Sequence, residues 1–366
     1  MNGERDTPAA VIDVGWVNGL AAIRSLGRAG IRVLALDHRP SALGFRSRYA
    51  EPFVGPDPKV DEMRFIAFLR ALGDAVVFPT HDEGLNAVAR YLDDLQVRAP
   101  FPAWDVLERV QSKRSQLEHA DAAGIATPAT SYPGSAGEAR AAAEELGLPV
   151  LVKPEHPVGF KQRFRRQAFH CDTAAEAGDA YARAEEFAPM VQELVPGDDD
   201  TLYTVGSYLN LDGRALGVFC GRKLVQTPPG IGTCRVGEAV WVQEVVDSAL
   251  QLLAEFGYFG LSQVEFKHDA RDGRFKLMEI NPRLWQWHGL ATACGVDLPL
   301  IAYTDLVGGT PREVSMDGFG KRWAITLLPG ERPAPQRPPY VDAVFTRDDP
   351  KPGLVHLARV VRSAVR

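Results

Sequence analysis

The segment KLMEINPRLWQWHG, which begins at Lys276, places an acid, an amide and an arginine at alternate positions, Glu279, Asn281 and Arg283. Alternate residues of a strand point to the same face of a sheet, so these side chains are predicted to lie together. The preceding segment GLSQVEFKHD carries Glu265, and the polar stretch ARDG separates the two segments. The pattern predicts a β-hairpin in which Glu265 lies opposite Glu279.

Two carboxylates and one carboxamide on the same face are the kind of ligand set that binds a hard metal ion. Like charges held this close are unfavourable unless a cation lies between them. Oxygen ligands suit magnesium, which keeps several waters and is usually completed by substrate phosphates. The alternative is a solvent-exposed strand face, where polar residues alternate without any metal.

Two lysines precede the hairpin along the chain. Lys153 ends the predicted strand LPVLVKP, and Lys113 begins the helical segment SKRSQLEHADAAG. A lysine ammonium is a compact positive charge that suits phosphate. Each lysine taken alone is simply a solvated surface residue, but two lysines before an acidic hairpin favour a site for a phosphate-bearing ligand.

The first hundred residues alternate strand-like and helical segments, such as AAVIDVG, NGLAAIRSLGRAG and IRVLALD. This alternation predicts a parallel sheet with crossover helices. Gly15 and Gly19 do not have the spacing of a dinucleotide-binding GxGxxG turn, which disfavours a nicotinamide or flavin site. His81, Asp82 and Glu83 follow a strand, where they either act in a site or cap the next helix.

The pattern changes after about residue 105. One predicted helix ends at Gly124, the helix SAGEARAAAEELG ends at Gly147, and strand patterns dominate from APMVQELVPGDDD onward. The chain from residue 331 is proline-rich and then basic, which predicts a linker and a terminal helix.

Composition excludes several classes of protein. The chain has 366 residues, 45% of them hydrophobic, and a formal net charge of -6, which predicts a folded chain with no nucleic-acid or acidic-membrane partner. Its four cysteines lack CxxC spacing, which argues against a zinc site and a disulfide framework. No segment approaches the roughly 18 apolar residues of a membrane span, so we expect a cytoplasmic protein.

The stretch from about residue 105 to 310 resembles an ATP-grasp domain. The matching motifs are SK followed by AAGIATP, then LPVLVKP, VQELVPG, VEF and MEINPR, in that order. The resemblance implies an α/β chain in which a Rossmann-like pre-ATP-grasp domain (1–110) precedes a two-subdomain ATP-grasp fold of the α+β type. The implied parts of the latter are a small lid subdomain (111–190) and a catalytic subdomain (191–330), followed by the linker and terminal helix (331–366).

The same resemblance implies roles for individual residues. Lys113 and Lys153 are similar to the two lysines that contact the nucleotide phosphates, and Arg283 to the arginine that faces the transferred phosphoryl group. Lys153 and Arg283 are the implied catalytic residues. The implied ligands of Mg²⁺ or Mn²⁺ are Glu265, Glu279 and Asn281. The implied contacts to the adenosine part of ATP are Gln192, Glu193, Val195, Asp198 and Asp200, the two aspartates at the ribose hydroxyls.

One loop departs from the family pattern. Where the superfamily often has a glycine-rich loop over the triphosphate, this chain has HPVGFKQRFRRQAF, with a single glycine. Its cations are Lys161, Arg163, Arg165 and Arg166. The loop either closes over phosphates, grips an acidic substrate, or is a solvated basic turn.

A second segment, GRKLVQTPPGIGTCRVGEAV, looks most like the substrate-facing loop of the carboxylate-amine ligase branch that includes D-aspartate ligase-like enzymes. Arg222, Lys223 and Arg235 could pair with a substrate carboxylate there, or lie at the surface. The LWQWHG motif offers two tryptophans and His288 to the same cleft, with His288 as a base; the alternative for the aromatic residues is packing.

The resemblance implies an ATP-dependent ligase that activates a carboxylate as an acylphosphate and joins it to an amine, releasing ADP and phosphate. The expected partners are a small-molecule carboxylate and amine, without nucleic acid or membrane, and a homodimer is common in the superfamily. The alternatives are an ATP-grasp enzyme with a non-amine acceptor or carboxylation chemistry, a non-catalytic ATP-binding module, and a dinucleotide-binding oxidoreductase. The sequence names neither the acid nor the amine.

Overall fold

Three β-sheets follow one another along the chain. The computed structural model describes residues 7–155, 159–230, 232–312, 314, 316–329, 331, 334 and 339–364. Within these ranges, none of the helices combines the length and the apolar character needed to cross a bilayer. All four cysteines are buried free thiols.

The N-terminal sheet is parallel throughout, with the strand order β3-β2-β1-β4-β5. Its strands are β1 (Ala9–Ile12), β2 (Val33–Asp37), β3 (Ala50–Val54), β4 (Ala75–Pro79) and β5 (Val97–Arg98). The helices of this unit are α1 (Val17–Arg28), α2 (Glu62–Leu72), α3 (Asp82–Arg90) and α4 (Trp104–Gln111). Ala9 and Val11 enter one hydrophobic core and Ala10 and Ile12 another, because successive residues of β1 face opposite sides of the sheet. The parallel sheet predicted from the sequence is confirmed.

The second sheet is antiparallel and four-stranded, with the order β6-β9-β7-β8. Its strands are β6 (Thr130–Ser131), β7 (Val150–Pro154), β8 (Phe169–Cys171) and β9 (Pro189–Glu193). The accompanying helices are α5 (Lys113–Ala122), α6 (Ala136–Leu146), α7 (Phe160–Phe164) and α8 (Ala174–Ala184). Small alanines such as Ala139 and Ala177 let α6 and α8 pack closely over this sheet. Because β9 spans residue 190, the predicted boundary between lid and catalytic subdomains falls inside a strand.

The third sheet has seven strands in the order β14-β13-β10-β11-β12-β15-β16. Its strands are β10 (Leu202–Leu209), β11 (Ala215–Thr227), β12 (Thr233–Ala239), β13 (Gly260–Asp269), β14 (Arg274–Asn281), β15 (Arg322–Ala324) and β16 (Val341–Asp342). The remaining helices are α9 (Gln243–Glu255), α10 (Gly289–Ala293), α11 (Leu298–Leu306) and α12 (Lys351–Ala364). Trp285 lies directly on Gly206, where an added Cβ would come within 1.9 Å of the indole ring, so the strand needs glycine there.

The C-terminal segment crosses back to the N-terminal unit. The terminal helix predicted from the sequence is α12, whereas positions 332, 333 and 335–338 of the predicted linker lie outside the described residues. Asp349, just before α12, forms a buried ion pair with Arg24 of α1, and Asp348 pairs with Arg28 one turn further along. These contacts hold the C-terminal segment against the N-terminal sheet.

Candidate active site

The acidic hairpin is formed by β13 and β14. Glu265 is the direct partner of Glu279, and Gln263 is the partner of Asn281, so the predicted pairing of the two carboxylates is confirmed. Nearer the turn the register differs, because Phe266 faces Leu277, and Met278 is the extra residue of a bulge. Without this bulge, Glu265 would face Met278, and the glutamates would not be cross-strand partners.

Each glutamate of the pair has its own lysine. Lys223 Nζ lies 2.8 Å from Glu265 Oε1, and Lys113 Nζ lies 3.6 Å from Glu279 Oε2. Thr204 and Gln263 also donate hydrogen bonds to Glu265 Oε1, at 3.2 and 3.1 Å. The buried pair is therefore compensated by cations from two different parts of the chain.

The pKa values of the two glutamates move in opposite directions. Burial raises the pKa of Glu265, although Lys223 opposes the shift. Burial also acts to raise the pKa of Glu279, but Lys113 and the Asn281 amide outweigh it and lower the pKa to about 2. Such a division is expected when two carboxylates share a site.

The donor atoms on this face fit magnesium or manganese. Two carboxylates stand opposite each other, and the Asn281 side chain contacts Glu279 at 2.9 Å and Gln263 at 3.3 Å. Among the described residues, no group of three or more His, Cys, Asp or Glu side chains is arranged to hold a metal ion by itself. Glu265, Glu279 and Asn281 would thus hold an ion that water and phosphate oxygens complete.

Lys113 and Lys153 lie beside the hairpin on two different elements. Ser112 caps α5 by accepting a hydrogen bond from the Ser115 backbone at 3.2 Å, which places Lys113 at the first helical position. Lys153 lies near the end of β7. Burial and the positive charge of Lys113 lower the pKa of Lys153 to about 7, with Glu279 opposing them. Two lysine ammonium groups facing one space form a site for an anion.

Arg283 is held by the N-terminal unit. Its guanidinium forms two bonds to Asp82, Nε to Oδ1 at 2.5 Å and Nη2 to Oδ2 at 3.2 Å, and Nη2 also lies 3.4 Å from Asn281 Oδ1. The alternative that Asp82 only caps α3 is therefore wrong, because its carboxylate reaches a residue 201 positions away. Burial acts to raise the pKa of Asp82, but Arg283 outweighs it, so the pKa is lowered.

A cavity of about 290 Å³ lies between the N-terminal unit and the hairpin. Asp82, Asn86 and Trp104 line one wall, whereas Lys113, Glu279 and Asn281 belong to the other. The cavity therefore adjoins the predicted phosphate and metal ligands, and its far wall comes from α3 and α4.

The predicted adenosine contacts fall on and after β9. Gln192 is buried and donates to Thr130 Oγ1 at 2.8 Å, and Val195 is also buried. The Glu193 carboxylate accepts hydrogen bonds from the Ala129 backbone and from Lys276 and Arg271. It therefore fastens β9 to the hairpin, a contact that the motif did not indicate. Asp198 and Asp200 are exposed, and the intervening Asp199 binds the β11–β12 turn through Gln226 and Gly230.

The three cations of the β11–β12 segment have different partners. Arg222 donates two hydrogen bonds to Glu238, at 3.0 and 2.8 Å, and Arg235 pairs with Glu331 at 2.5 Å. Lys223 alone of the three bonds to a predicted metal ligand, Glu265. The register of the sheet explains this contact: Gly221 is aligned through Thr204 with Glu265, and Lys223, two positions after Gly221, lies on the same face of β11.

The LWQWHG motif lies in the core, so packing, the alternative for its tryptophans, is confirmed, and the placement of His288 in the cleft is wrong. Trp285 and Trp287 are each 1% exposed and His288 is fully buried. His288 Nε2 lies 3.0 Å from the Asn18 carbonyl oxygen, and burial lowers the pKa of His288 to about 4. Packing between α1 and the third sheet requires these aromatic groups, and a buried imidazole cannot act as a base in the cleft.

The basic segment is only partly described. Positions 156–158 lie outside the described residues, and the segment continues as α7. Arg163 pairs with Glu186, and the Arg166 guanidinium lies 5.3 Å from the centre of the Phe169 ring. These two cations therefore contact residues of their own subdomain.

Several known proteins are similar to this chain in sequence. The family model described as the carbamoyl-phosphate synthase L chain, ATP binding domain, matches residues 238–306, which include the hairpin. The D-aspartate ligase of Enterococcus faecium is 27% identical over 173 residues, covering 45% of this chain and 41% of that protein. The large chain of carbamoyl phosphate synthase from Myxococcus xanthus is 24% identical over 320 residues, covering 82% of this chain and 29% of that protein. The chain thus spans less than half the length of these curated relatives.

Solved structures share the fold. The biotin carboxylase domain dimer of the Hydrogenobacter thermophilus 2-oxoglutarate carboxylase, in complex with MgADP, ADP and bicarbonate, has a TM-score of 0.68 at 18% identity, covering 86% of this chain and 73% of that chain. The family model and the curated relatives thus show similarity to ATP-dependent ligases of the ATP-grasp type, and the structural neighbour shares the mixed α/β fold.

Proposed function

We propose that this chain is an ATP-dependent ligase that joins a small carboxylate to an amine. The observation that carries the proposal is the convergence of Glu265, Glu279 and Asn281 with Lys113 and Arg283 at one face of the third sheet. The similarity to a D-aspartate ligase favours an amine as the acceptor.

The reaction has two steps. A carboxylate oxygen of the first substrate attacks the γ-phosphorus of ATP, forming a new O–P bond as the bond to the ADP oxygen breaks. The amine nitrogen of the second substrate then attacks the carbonyl carbon, forming a C–N bond as the C–O bond to phosphate breaks, and the nitrogen releases a proton to solvent. The products are the amide, ADP and phosphate.

The protein supplies charge and position for these steps. Lys113 and Lys153 bind phosphate oxygens, and Arg283, oriented by Asp82, faces the transferred group. Glu265, Glu279 and Asn281 would hold Mg²⁺ or Mn²⁺, which would neutralise negative charge on the phosphate oxygens.

The rest of the chain places the substrates. The backbone around Gln192 and Val195 contacts adenine, and Asp198 and Asp200 contact the ribose hydroxyls. The N-terminal sheet serves as the Rossmann-like domain of the superfamily, and the cavity between it and the hairpin receives the acid or the amine. Of the predicted carboxylate anchors, Arg222 and Arg235 would have to leave Glu238 and Glu331 to bind a substrate.

The proposal extends to the oligomeric state and the location of the protein. We expect a homodimer, as the structural neighbour is a domain dimer, and a cytoplasmic location. No contact with nucleic acid or membrane is part of the proposal.

A second candidate reaction is carboxylation or transfer to a non-amine acceptor. The matches to carbamoyl phosphate synthase and to a biotin carboxylase domain with bicarbonate favour it. In this case bicarbonate takes the place of the organic carboxylate as the phosphoryl acceptor.

ADP and phosphate release tests the proposal. The chain is incubated with Mg²⁺ and ATP over a matrix of amino acids, hydroxy acids, dicarboxylic acids and bicarbonate, alone and in pairs. We expect release that requires one acid together with one amine, loss of release in Glu279→Gln, and unchanged release in Glu51→Gln, whose ion pair with Arg32 is exposed on β3. Release with bicarbonate alone would favour the second candidate, and ATP binding without release under any condition would indicate a non-catalytic module.

A further inference from the structure

Lys267 of β13 is a buried lysine whose charge is not matched by its surroundings. It is 8% exposed, and among the described residues its ammonium forms no hydrogen bond and no ion pair. Lys276, its direct partner on β14, is equally buried but binds Glu193 at 2.7 Å and Asp269 at 2.9 Å. Burial of an ammonium group is costly unless acceptors replace its hydration. An acceptor on a bound ligand would offset this cost for Lys267.

The side chain of Lys267 lies on the same face of the third sheet as the acidic pair. Val264 and Phe266 of β13 enter the hydrophobic core together with residues of α9. Because successive residues of a strand face opposite sides, Glu265 and Lys267 lie on the other face. This is the face on which the proposed function places ATP.

Along the strand, Lys267 lies on the adenosine side of the acidic pair. Its partner on β10 is Leu202, which directly follows the single turn Asp199–Thr201. Its partner on β14 is Lys276, which binds Glu193 at the end of β9. The proposed ribose and adenine contacts belong to these two neighbouring segments. Two residues of a strand span about 7 Å, so Lys267 lies about that far from the acidic pair, toward the adenosine contacts.

The charges around Lys267 favour a hydroxyl group over a phosphate as its partner. Burial lowers the pKa of Lys267, and Asp199, Asp198 and Asp269 act against this shift. These acids would repel a phosphate placed beside the ammonium, whereas a neutral hydroxyl can accept from a lysine and donate to a carboxylate at once. The Asp199 carboxylate is already bonded to the β11–β12 turn, which leaves exposed Asp198 as the acceptor.

We propose that Lys267 and Asp198 together bind a ribose hydroxyl of the nucleotide, so that the site selects ribonucleotides over deoxynucleotides. Lys267 donates a hydrogen bond to the hydroxyl oxygen, and Asp198 accepts the hydrogen bond that the same hydroxyl donates. This inference rests on the proposed function for the placement of ATP. Lys267 is a binding residue and takes no part in the phosphoryl transfer.

Lys267 can be replaced without removing a polar contact between the described elements of the fold. Lys276 cannot, because its bonds to Glu193 connect β9 with the acidic hairpin. An effect of Lys267→Met on nucleotide binding is therefore expected to come from the ligand and not from loosened packing of the sheets.

Isothermal titration calorimetry tests the proposal with MgADP and the magnesium complex of 2′,3′-dideoxy-ADP, without acid or amine. The ratio of the two Kd values reports the ribose hydroxyls, because changes in adenine packing or phosphate binding affect both nucleotides alike. The proteins are the wild type, Lys267→Met and the control Lys321→Met. Lys321 is exposed and donates to the Ala293 carbonyl oxygen.

We expect the wild type to bind MgADP about tenfold or more tighter than the dideoxy nucleotide, because hydrogen bonds to charged groups are lost with the hydroxyls. Lys267→Met should raise the Kd of MgADP about tenfold and change the dideoxy Kd by less than about twofold. Lys267→Arg, which keeps a cationic donor, should retain more of the ratio, and Lys321→Met should keep all of it. The two monodeoxy nucleotides then identify the hydroxyl.

A ratio that is unchanged in Lys267→Met would overturn the inference, and so would an equal rise in both Kd values, which would indicate a phosphate or adenine contact. Circular dichroism checks the fold of each variant, and Lys267→Leu provides the same comparison if the methionine variant does not fold.

The two proposals fail in different ways. If the ratio depends on Lys267 but no combination of acid and amine releases phosphate, the proposed ligase reaction fails and the inference stands. If phosphate release requires an acid and an amine but the ratio does not depend on Lys267, the inference fails and the proposed function stands. Absence of MgADP binding by the wild type would overturn both.

Discussion

The ion pair between Arg24 and Asp349 offers a test of what joins the C-terminal segment to the N-terminal unit. Its side chains are 4% and 1% exposed. The Asp349 carboxylate accepts hydrogen bonds from Arg24 Nε at 2.9 Å, Ser47 Oγ at 2.8 Å and the Arg48 backbone at 2.9 Å. Asp349→Ala removes all three and leaves a buried guanidinium without its counter-ion, so we expect a loss of about 3–5 kcal/mol in the free energy of unfolding.

Adjacent Asp348 provides the matched control. Its carboxylate also accepts three hydrogen bonds, two from Arg28 at 2.7 and 2.9 Å and one from the Tyr49 hydroxyl at 3.0 Å, but the Asp348 and Arg28 side chains are each 42% exposed. Solvent screens an exposed pair, so Asp348→Ala should cost about 1 kcal/mol or less. Both variants remove an aspartate that pairs with an arginine of α1 and accepts three hydrogen bonds, so the main difference between them is burial.

Urea unfolding followed by circular dichroism measures both variants. Adding Arg24→Met to Asp349→Ala removes the uncompensated charge, so the double variant should lose about 2 kcal/mol less than the sum of the two single changes. Equal losses of unfolding free energy for Asp348→Ala and Asp349→Ala, or strict additivity in the double variant, would refute the conclusion that the buried Arg24–Asp349 pair stabilises this contact.

Three further predictions concern the site and its surroundings. Asp82→Asn should lower kcat/KM about tenfold, because Arg283 loses the carboxylate that orients it. The melting temperature should change little, because the core packing is left intact. If Asp82→Asn and the double variant Asp82→Asn/Arg283→Lys lose the same amount of kcat/KM, the two residues act as a unit. MgATP binding near pH 8 should take up close to one proton, because the pKa of Lys153, about 7 in the free protein, rises beside phosphate; calorimetry in two buffers should show this uptake lost in Lys153→Arg. Stability should fall by up to about 3 kcal/mol as the pH drops from 6.5 to 4, because His288 is buried neutral and its pKa is lowered to about 4, and denaturation midpoints for His288→Gln should fall less over that range.

Sequence reasoning located the acidic hairpin because the signal is local. Strand alternation and a polar turn were enough to pair Glu265 with Glu279, although the bulge at Met278 that sets this register left no mark in the pattern. The parallel N-terminal sheet was equally accessible, since its buried strands and helices alternate along the chain.

The partners in long-range ion pairs could not be predicted from the sequence, because charge alone does not select one acid for a given cation. Asp82 binds Arg283 across 201 positions and Asp349 binds Arg24 across 325. Glu193 looked like a nucleotide contact from its motif, yet Lys276 and Arg271 of the hairpin bind it. Which of several cations meets which acid depends on the packing of the three sheets.

The distribution of charge in the site explains why Lys153 differs from the other cations around the carboxylate pair. Lys223 is paired with Glu265, Lys113 with Glu279, and Arg283 with Asp82. Among the described residues, Lys153 forms no such pair, and burial together with Lys113 lowers its pKa to about 7. A bound nucleotide would supply the negative charge that Lys153 lacks. Its phosphates would also attract Lys113 and Lys223, which now neutralise the two glutamates. The glutamates would then be free for a divalent cation, so metal and nucleotide should bind with positive cooperativity.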